Sequence, residues 1–340
     1  MIKIQESINK LEKSPLFYLF ASSKELFHSN FWYWLYRLNP NEAVKLFLNT
    51  DSNNISFERE YKRISLNNKT IKSQVDILIT ENKSPIIVIE NKVKDFPTHK
   101  QLDRIINSFD NNSNITFILT SLFNYNEIKF EKWNIKTYLD ISNSIESTKF
   151  TNNDYYRFLI NDYKDFCLNL HLFANLLPIN KIYDFSIYHN KKLFPILNKI
   201  KFWETFQKLR SSHLLHYFNK ENIDIETVYS INNQKATLDF IYPLSNNYKI
   251  GIQVENNQFR YFVLGEKADI FANNLLNKVL FFPNNRENKD KVFLKYGKIF
   301  RYQYTKIDEP ISFTELFNRI KDEINKIKLL KNKIEIEIPK

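Results

Sequence analysis

The stretch DILITENKSPIIVIENK, residues 76–92, decides the reading of this chain. Its apolar residues fall in two runs, Ile77-Leu78-Ile79 and Ile86-Ile87-Val88-Ile89, separated by the polar turn Glu81-Asn82-Lys83-Ser84 before Pro85. Short apolar runs joined in this way predict an antiparallel hairpin of buried strands. Side chains alternate along a strand, so Glu90 and Lys92 share one face while Ile89, Asn91 and Val93 take the other. With the hairpin centred near Lys83, Asp76 falls across from Glu90 and Leu78 from Val88, and partners so placed lie about 5 Å apart. Two carboxylates and one ammonium therefore meet at the end of an otherwise apolar hairpin.

Working outward, an extended segment at 55–66 precedes strands at 72–79 and 86–93. Upstream of it, SSKELFHSNFWYWLYRL (22–38) places Phe27, Phe31, Trp34, Leu35 and Leu38 at helical spacing, with Ser22 or Ser23 available to cap and with Glu25, His28, Ser29 and Trp32 on a different face. Downstream, Pro97-Thr98 opens a helix carrying Leu102, Ile105, Ile106 and Phe109, and Asn111 to Asn114 stops it. The strand Ile115–Leu119 then returns parallel to the third strand, since a crossover through a helix has that outcome, and a further strand at 135–139 extends the sheet. The predicted first domain, 1–150, is a mixed α/β sheet in the order helix, three-stranded antiparallel meander, helix, parallel strand.

Residues 151–340 read as an α+β domain. Helices are predicted at 153–177, 198–219, 266–281 and 312–332, with strands at 223–231, 236–242, 248–255, 258–264 and 299–304. Phe202, Trp203, Phe206, Leu209 and His213 share one helical face. Asp239 and Glu255 echo Asp76 and Glu90 at a spacing of 16 rather than 14 residues, with Asn257 where Lys92 stood, and chance explains the echo more simply than duplication.

Composition narrows the function. With 43% apolar residues, 30 Phe and 19 Tyr among 340 residues, the chain can fill two cores. Three Gly and no phosphate-loop pattern exclude a glycine-rich nucleotide cradle, and the lone Cys167 forms no intramolecular disulfide, which fits a cytoplasmic setting. No apolar run approaches the roughly 18 residues of a membrane span. The net charge is +11, of which residues 1–150 supply 20 basic and 17 acidic side chains. That balance suits a polyanion, and a Lys/Asn/Ile-rich coding bias accounts for it equally well.

Adjacent carboxylates repel unless a cation lies between them, and hard oxygen ligands suit Mg²⁺ or Mn²⁺. An ion held by Asp76 and Glu90 would bind a phosphate oxygen and acidify a water, with Lys92 orienting that water or offsetting charge on phosphorus. Here the sequence resembles the PD-(D/E)xK nuclease superfamily, which places an acid on the second strand and acid-x-Lys on the third, as in Asp76 and Glu90-Asn91-Lys92. Val75 stands where the motif name has Pro. The likeness spans about residues 20–120 and is nearest to an uncharacterised bacterial branch with E-x-x-H-S-x-F, here Glu25 to Phe31, and E-N-K followed by Q-L, here Gln101-Leu102.

The resemblance implies a restriction-endonuclease-like core, Glu25 as a supporting metal ligand and Gln101 as a residue that supports the site or touches nucleic acid. It further implies DNA, rather than RNA, as the favoured substrate and prokaryotic defence as the setting. A homodimer is the natural assembly for cutting two strands, and a defence-system protein is the alternative partner. Rival readings of the same residues stand beside these. Ser22-x-x-Glu25 and Thr98-x-x-Gln101 are also capping boxes, a helical His28 is also a packing residue, and Glu60 either faces the site or pairs with Arg59, Lys62 or Arg63. Nucleic-acid contacts are expected from His28, Lys94 and Lys100. Further contacts are expected from Lys191, Lys192, Lys199 and Lys201 in the aromatic-interleaved segment 181–221, which reads equally as a solvated face over a core. A catalytically silent binding or sensor module and an RNA-directed nuclease are the alternative functions.

Overall fold

The computed structural model describes residues 2–22, 24–48, 54–64, 71–93, 97–109, 114–122, 130–177, 193–209, 226–232, 235–243, 248–255, 258–266, 268–272, 293–306 and 313–334. The chain forms two compact units, Met1–Leu177 and Pro178–Lys340.

In the first unit the quoted stretch is a hairpin of β2 (Ile71–Glu81) and β3 (Ser84–Lys92). Asn82 and Lys83 form its two-residue turn with φ of 49° and 68°, the left-handed pair whose twist matches that of flanking strands. The register is the expected one, Ile77 opposite Ile89 and Leu78 opposite Val88, although an irregularity near Thr80 and Pro85 resets it on the way to the turn. β1 (Ile55–Ile64) pairs antiparallel with β2, and β4 (Thr116–Ser121) and β5 (Trp133–Thr137) follow β3 in parallel, giving a five-stranded mixed sheet in the order β1-β2-β3-β4-β5.

Helices lie on both faces. The sequence order continues α1 (Ile2–Glu12), α2 (Pro15–Ser22), α3 (Lys24–Leu38), α4 (Pro40–Lys45), α5 (His99–Ser108), α6 (Tyr138–Glu146) and α7 (Asp154–Leu176). α3 packs on β1, β2 and β3, and its Tyr33 and Tyr36 rings meet Phe57. That face carries Ile77, Ile79, Ile87 and Ile89, all fully buried. α5 covers the other face, where Phe109 meets Phe117 edge-on.

Three expectations for the first unit change. The sequence-based strand at 135–139 ends at Thr137 because Thr137 and Asp140 form a reciprocal capping box that starts α6. The boundary at 150 moves to 177, since α7 buries Tyr163, Phe166, Cys167, Leu170 and Phe173 and packs on α1, α2 and α6 of the first unit. And α3 is buried on more than its aromatic stripe. His28 and Trp32 are inaccessible to solvent and Ser29 nearly so, although the helical wheel set them apart from the apolar face.

The second unit is α+β, as expected. Its six-stranded sheet is antiparallel throughout, in the order β10-β11-β9-β8-β7-β6, from β6 (Glu226–Asn232), β7 (Lys235–Pro243), β8 (Lys249–Glu255), β9 (Gln258–Leu264), β10 (Leu294–Tyr296) and β11 (Phe300–Lys306). The predicted helix at 198–219 is interrupted. α8 (Leu193–Lys199) ends where Lys201 turns left-handed at φ 54° and Phe202 N–H reaches back to Leu197 O at 2.8 Å, the six-to-one bond of a Schellman stop. A new helix, α9, runs over 203–209. Of the helix expected at 266–281, only α10 (Ala268–Phe271) lies in described residues, and α11 (Phe313–Ile334) packs on β7 and β8. No helix among the described residues is long and apolar enough to cross a membrane.

Candidate functional site

Ile77 and Ile89 are the last pair of the β2–β3 ladder, so Asp76 and Glu90 occupy the next position out. There the Asp76 carboxylate takes the place of a ladder partner, with Oδ2 accepting from the Asn91 main-chain N–H at 2.6 Å. On β3, Glu90 and Lys92 share a face as alternation requires, with Nζ 2.9 Å from Oε1. Gln101 reaches the same Glu90 oxygen from α5, its Nε2 donating at 2.8 Å. Glu25 completes the group from the first turn of α3, Oε1 accepting from Val93 N–H at 3.3 Å.

The structure thus brings together the five residues singled out as catalytic, and it bears on one of the rival readings. Thr98 Oγ1 accepts from Gln101 N–H at 3.2 Å, so the cap exists, but the Gln101 side chain is directed to Glu90 rather than closing the box. One Glu25 oxygen accepts from Val93 N–H just past β3, and the Ser22 and Ser23 side chains of the alternative cap lie outside the described residues. Glu60 is exposed, has a left-handed φ of 50° in mid-strand, and accepts from Gln74 Nε2 at 2.7 Å.

Electrostatics follow from burial. Glu90 is 4% exposed. Removal from water and then the neighbouring Glu90 charge push the Asp76 carboxyl up to about 8, against the pull of the Asn91 N–H and Lys92. Burial also raises Glu90, with Lys92 opposing it. Burial works against the Lys92 ammonium, and Glu90 beside it outweighs that and holds it above the ordinary lysine range. One ammonium serves two crowded acids, so the pair retains protons more readily than free carboxylates do.

The donors are hard carboxylate oxygens whose mutual repulsion a cation would relieve, which fits Mg²⁺ or Mn²⁺. Yet among the described residues no three His, Cys, Asp or Glu side chains are gathered around one ion-sized position. Main-chain N–H groups, Lys92 and Gln101 hold the oxygens instead.

The expected nucleic-acid contacts fare unevenly. Lys100 is exposed on α5 beside Gln101, with Arg104 one turn further on the same outer face. Lys199 and Lys201 are exposed on the second unit. Lys94, Lys191 and Lys192 lie outside the described residues. His28 is a correction: it is wholly buried among Phe20, Phe27, Trp32, Tyr138 and Phe166. Its Nδ1 lies 2.8 Å from Tyr163 OH and its Nε2 has no hydrogen-bond partner among the described residues. Burial keeps this imidazole neutral, and it does not reach a phosphate.

The sequence reading missed Asn91, Thr120 and Tyr138. Asn91 is completely buried on the face it shares with Ile89, where Thr120 and Tyr138 hydroxyls surround its amide. A polar residue on the apolar side of a strand was the available signal. The echo in the second unit resolves differently, since Asp239 lies opposite Gln253 and not Glu255. No protein-family model, curated protein or solved structure matches the chain.

Proposed function

We propose that the first unit is a metal-dependent nuclease of the PD-(D/E)xK type with a restriction-endonuclease-like core, acting on DNA in prokaryotic defence in the cytoplasm. One observation carries the reading. An acid on β2 and an acid-x-Lys on β3 converge where the two strands stop pairing, at the end of an antiparallel meander that continues into a parallel crossover.

Asp76 and Glu90 would hold Mg²⁺ or Mn²⁺ with Glu25 in support, and such an ion supplies Lewis acidity at a phosphate and an acidified water. Gln101 restrains the Glu90 carboxylate through its 2.8 Å hydrogen bond. Lys92, already on the same face, offsets negative charge that develops on the phosphorus or orients the attacking water. Lys100 and Arg104 on α5 present cations to a phosphate backbone without reading sequence. A homodimer or a defence-system partner completes the proposal for duplex substrates.

A second reading has its own support. Lys92 neutralises Glu90 and no three-ligand group is preassembled among the described residues, which suits a silent nucleic-acid-binding or sensor module. Cleavage of plasmid, single-stranded DNA and RNA with Mg²⁺, Mn²⁺ or EDTA separates the two. Metal-dependent cutting that falls by about 10²–10³-fold or more in folded Asp76→Ala and Lys92→Ala proteins is expected. Binding without cutting in any metal would replace the first reading by the second, and cutting of RNA alone would move the substrate.

A further inference from the structure

Asn91 stands between Glu90 and Lys92, yet its side chain points to the opposite face of β3 and is fully buried. Its Oδ1 accepts from Thr120 Oγ1 at 2.9 Å and from Tyr138 OH at 2.8 Å, and its Nδ2 donates to the main-chain carbonyl of Glu25 at 3.0 Å. The carbonyl of Glu25 only accepts, so the amide nitrogen has to be the atom that faces it, and both hydroxyls then donate to the amide oxygen. The main-chain N–H of the same residue donates to Asp76. Asn91 therefore ties down one acid of the group by its backbone and the helix turn that carries another by its side chain.

Packing does not call for an amide here. Ile89 on the same strand and Val93 just past its end are also fully buried, with apolar side chains, and burying an amide costs free energy that its hydrogen bonds at best offset. What the amide adds is direction, because it fixes α3 against the end of β3 at the residue whose carboxylate reaches Val93 N–H.

We propose that Asn91, oriented by Thr120 and Tyr138, is a positioning residue that sets Glu25 against the Asp76–Glu90 pair. The inference rests on reading these acids as the metal-dependent site above. It departs from that reading in making the middle residue of the acid-x-Lys segment, and two hydroxyls on β4 and α6, necessary to the third acid.

Mn²⁺ titrations by calorimetry test it on the full chain, comparing wild type, Asn91→Ala, Glu25→Gln and the double variant, with hydrogen exchange of residues 24–31 followed alongside. Asn91→Ala is expected to weaken Mn²⁺ about 10–100-fold, the usual effect of removing a partner that orients a ligand, and to speed exchange in the first turn of α3. The double variant should bind no more weakly than the weaker single, because Asn91 acts through Glu25. Full additivity, or unchanged Mn²⁺ affinity in folded Asn91→Ala protein, overturns the proposal. If Asn91→Ala does not fold, Thr120→Val with Tyr138→Phe keeps the amide and removes both groups that orient it. The same weakening is expected, and unchanged affinity again overturns the proposal. Should the wild type bind no Mn²⁺, the metal reading falls and exchange decides alone. Faster exchange of 24–31 in Asn91→Ala keeps Asn91 as the tether of α3, and unchanged exchange removes that as well.

Discussion

In β2 and β3 a carboxylate comes to face a carboxylate, whereas in β7 and β8 a carboxylate faces an amide. Asp239 sits opposite Gln253, whose Nε2 donates to it at 2.8 Å and whose Oε1 accepts from Arg260 at 2.7 Å. Arg260 in turn grips Glu255 with two nitrogens at 2.8 and 2.9 Å and lies over the Tyr302 ring. Burial still raises the Asp239 carboxyl, but Gln253 and Arg260 pull it back. At the Asp76–Glu90 end the Gln101 amide reaches Glu90 and one ammonium is shared, so the neighbouring acid stands next to burial in raising Asp76, whereas Glu255 is the least of the influences on Asp239. A fold has no structural need for such crowding, and sites that store it commonly use it. The contrast shows why two similar strings, D-x-x-x and its acidic successor, carry different weight: the residue across the ladder decides whether an acid is satisfied or frustrated.

The largest effect expected from breaking this contrast is at Asp76. Asp76→Asn keeps an acceptor for the Asn91 N–H and the Glu90–Lys92 pair, so it should abolish cleavage while raising the stability of the first unit by about 1–2 kcal/mol in urea unfolding. An activity near wild type would remove Asp76 from the site.

Gly251 tests the second sheet. A Cβ there would lie 2.2 Å from Phe240 O and 2.6 Å from the Phe262 ring. Gly251→Ala is expected to cost about 3 kcal/mol by overpacking, seen as lost exchange protection in β7, β8 and β9 with β2 and β3 unaffected. Gln253→Glu recreates in the second sheet the pairing found in the first and should cost about 1–3 kcal/mol there, and no loss of stability would show that Arg260 alone satisfies both acids.

The smallest effect concerns pH. His28 is buried neutral, with its folded value well below the ordinary 6.5. Below 6.5 the unfolded chain binds a proton that the folded chain refuses, so stability falls as pH drops through that range. His28→Phe should flatten the slope measured by urea unfolding between pH 7.5 and 5, and an unchanged slope would assign it to other groups.

Much of the first unit was legible because its information is local. The runs Ile77–Ile79 and Ile86–Ile89, the turn between them and strand alternation predicted the hairpin, its register and the shared face of Glu90 and Lys92, all of which the structure has. The helix after β3 followed from Thr98 and its apolar spacing. Where the reading failed, a local signal was overridden or overlooked. The capping box Thr137–Asp140 starts a helix inside a strand-like run, the break at Lys201 needs a left-handed lysine that no propensity suggests, and α7 joins the first unit by packing on α1, α2 and α6.

By itself the sequence determined which residues carry chemistry along β2 and β3, since a period of two fixes which side chains share a face. It also determined that the charge at that end is crowded, because Asp76, Glu90 and Lys92 are written there. Tertiary structure alone decided what surrounds them. It sent His28 into an aromatic core instead of toward a phosphate, turned Gln101 onto Glu90 instead of its own cap, and placed the Glu25 carbonyl on the Asn91 amide. Those outcomes depend on contacts between elements 11 to 135 residues apart, and a helix face has no preference among partners until another element packs against it.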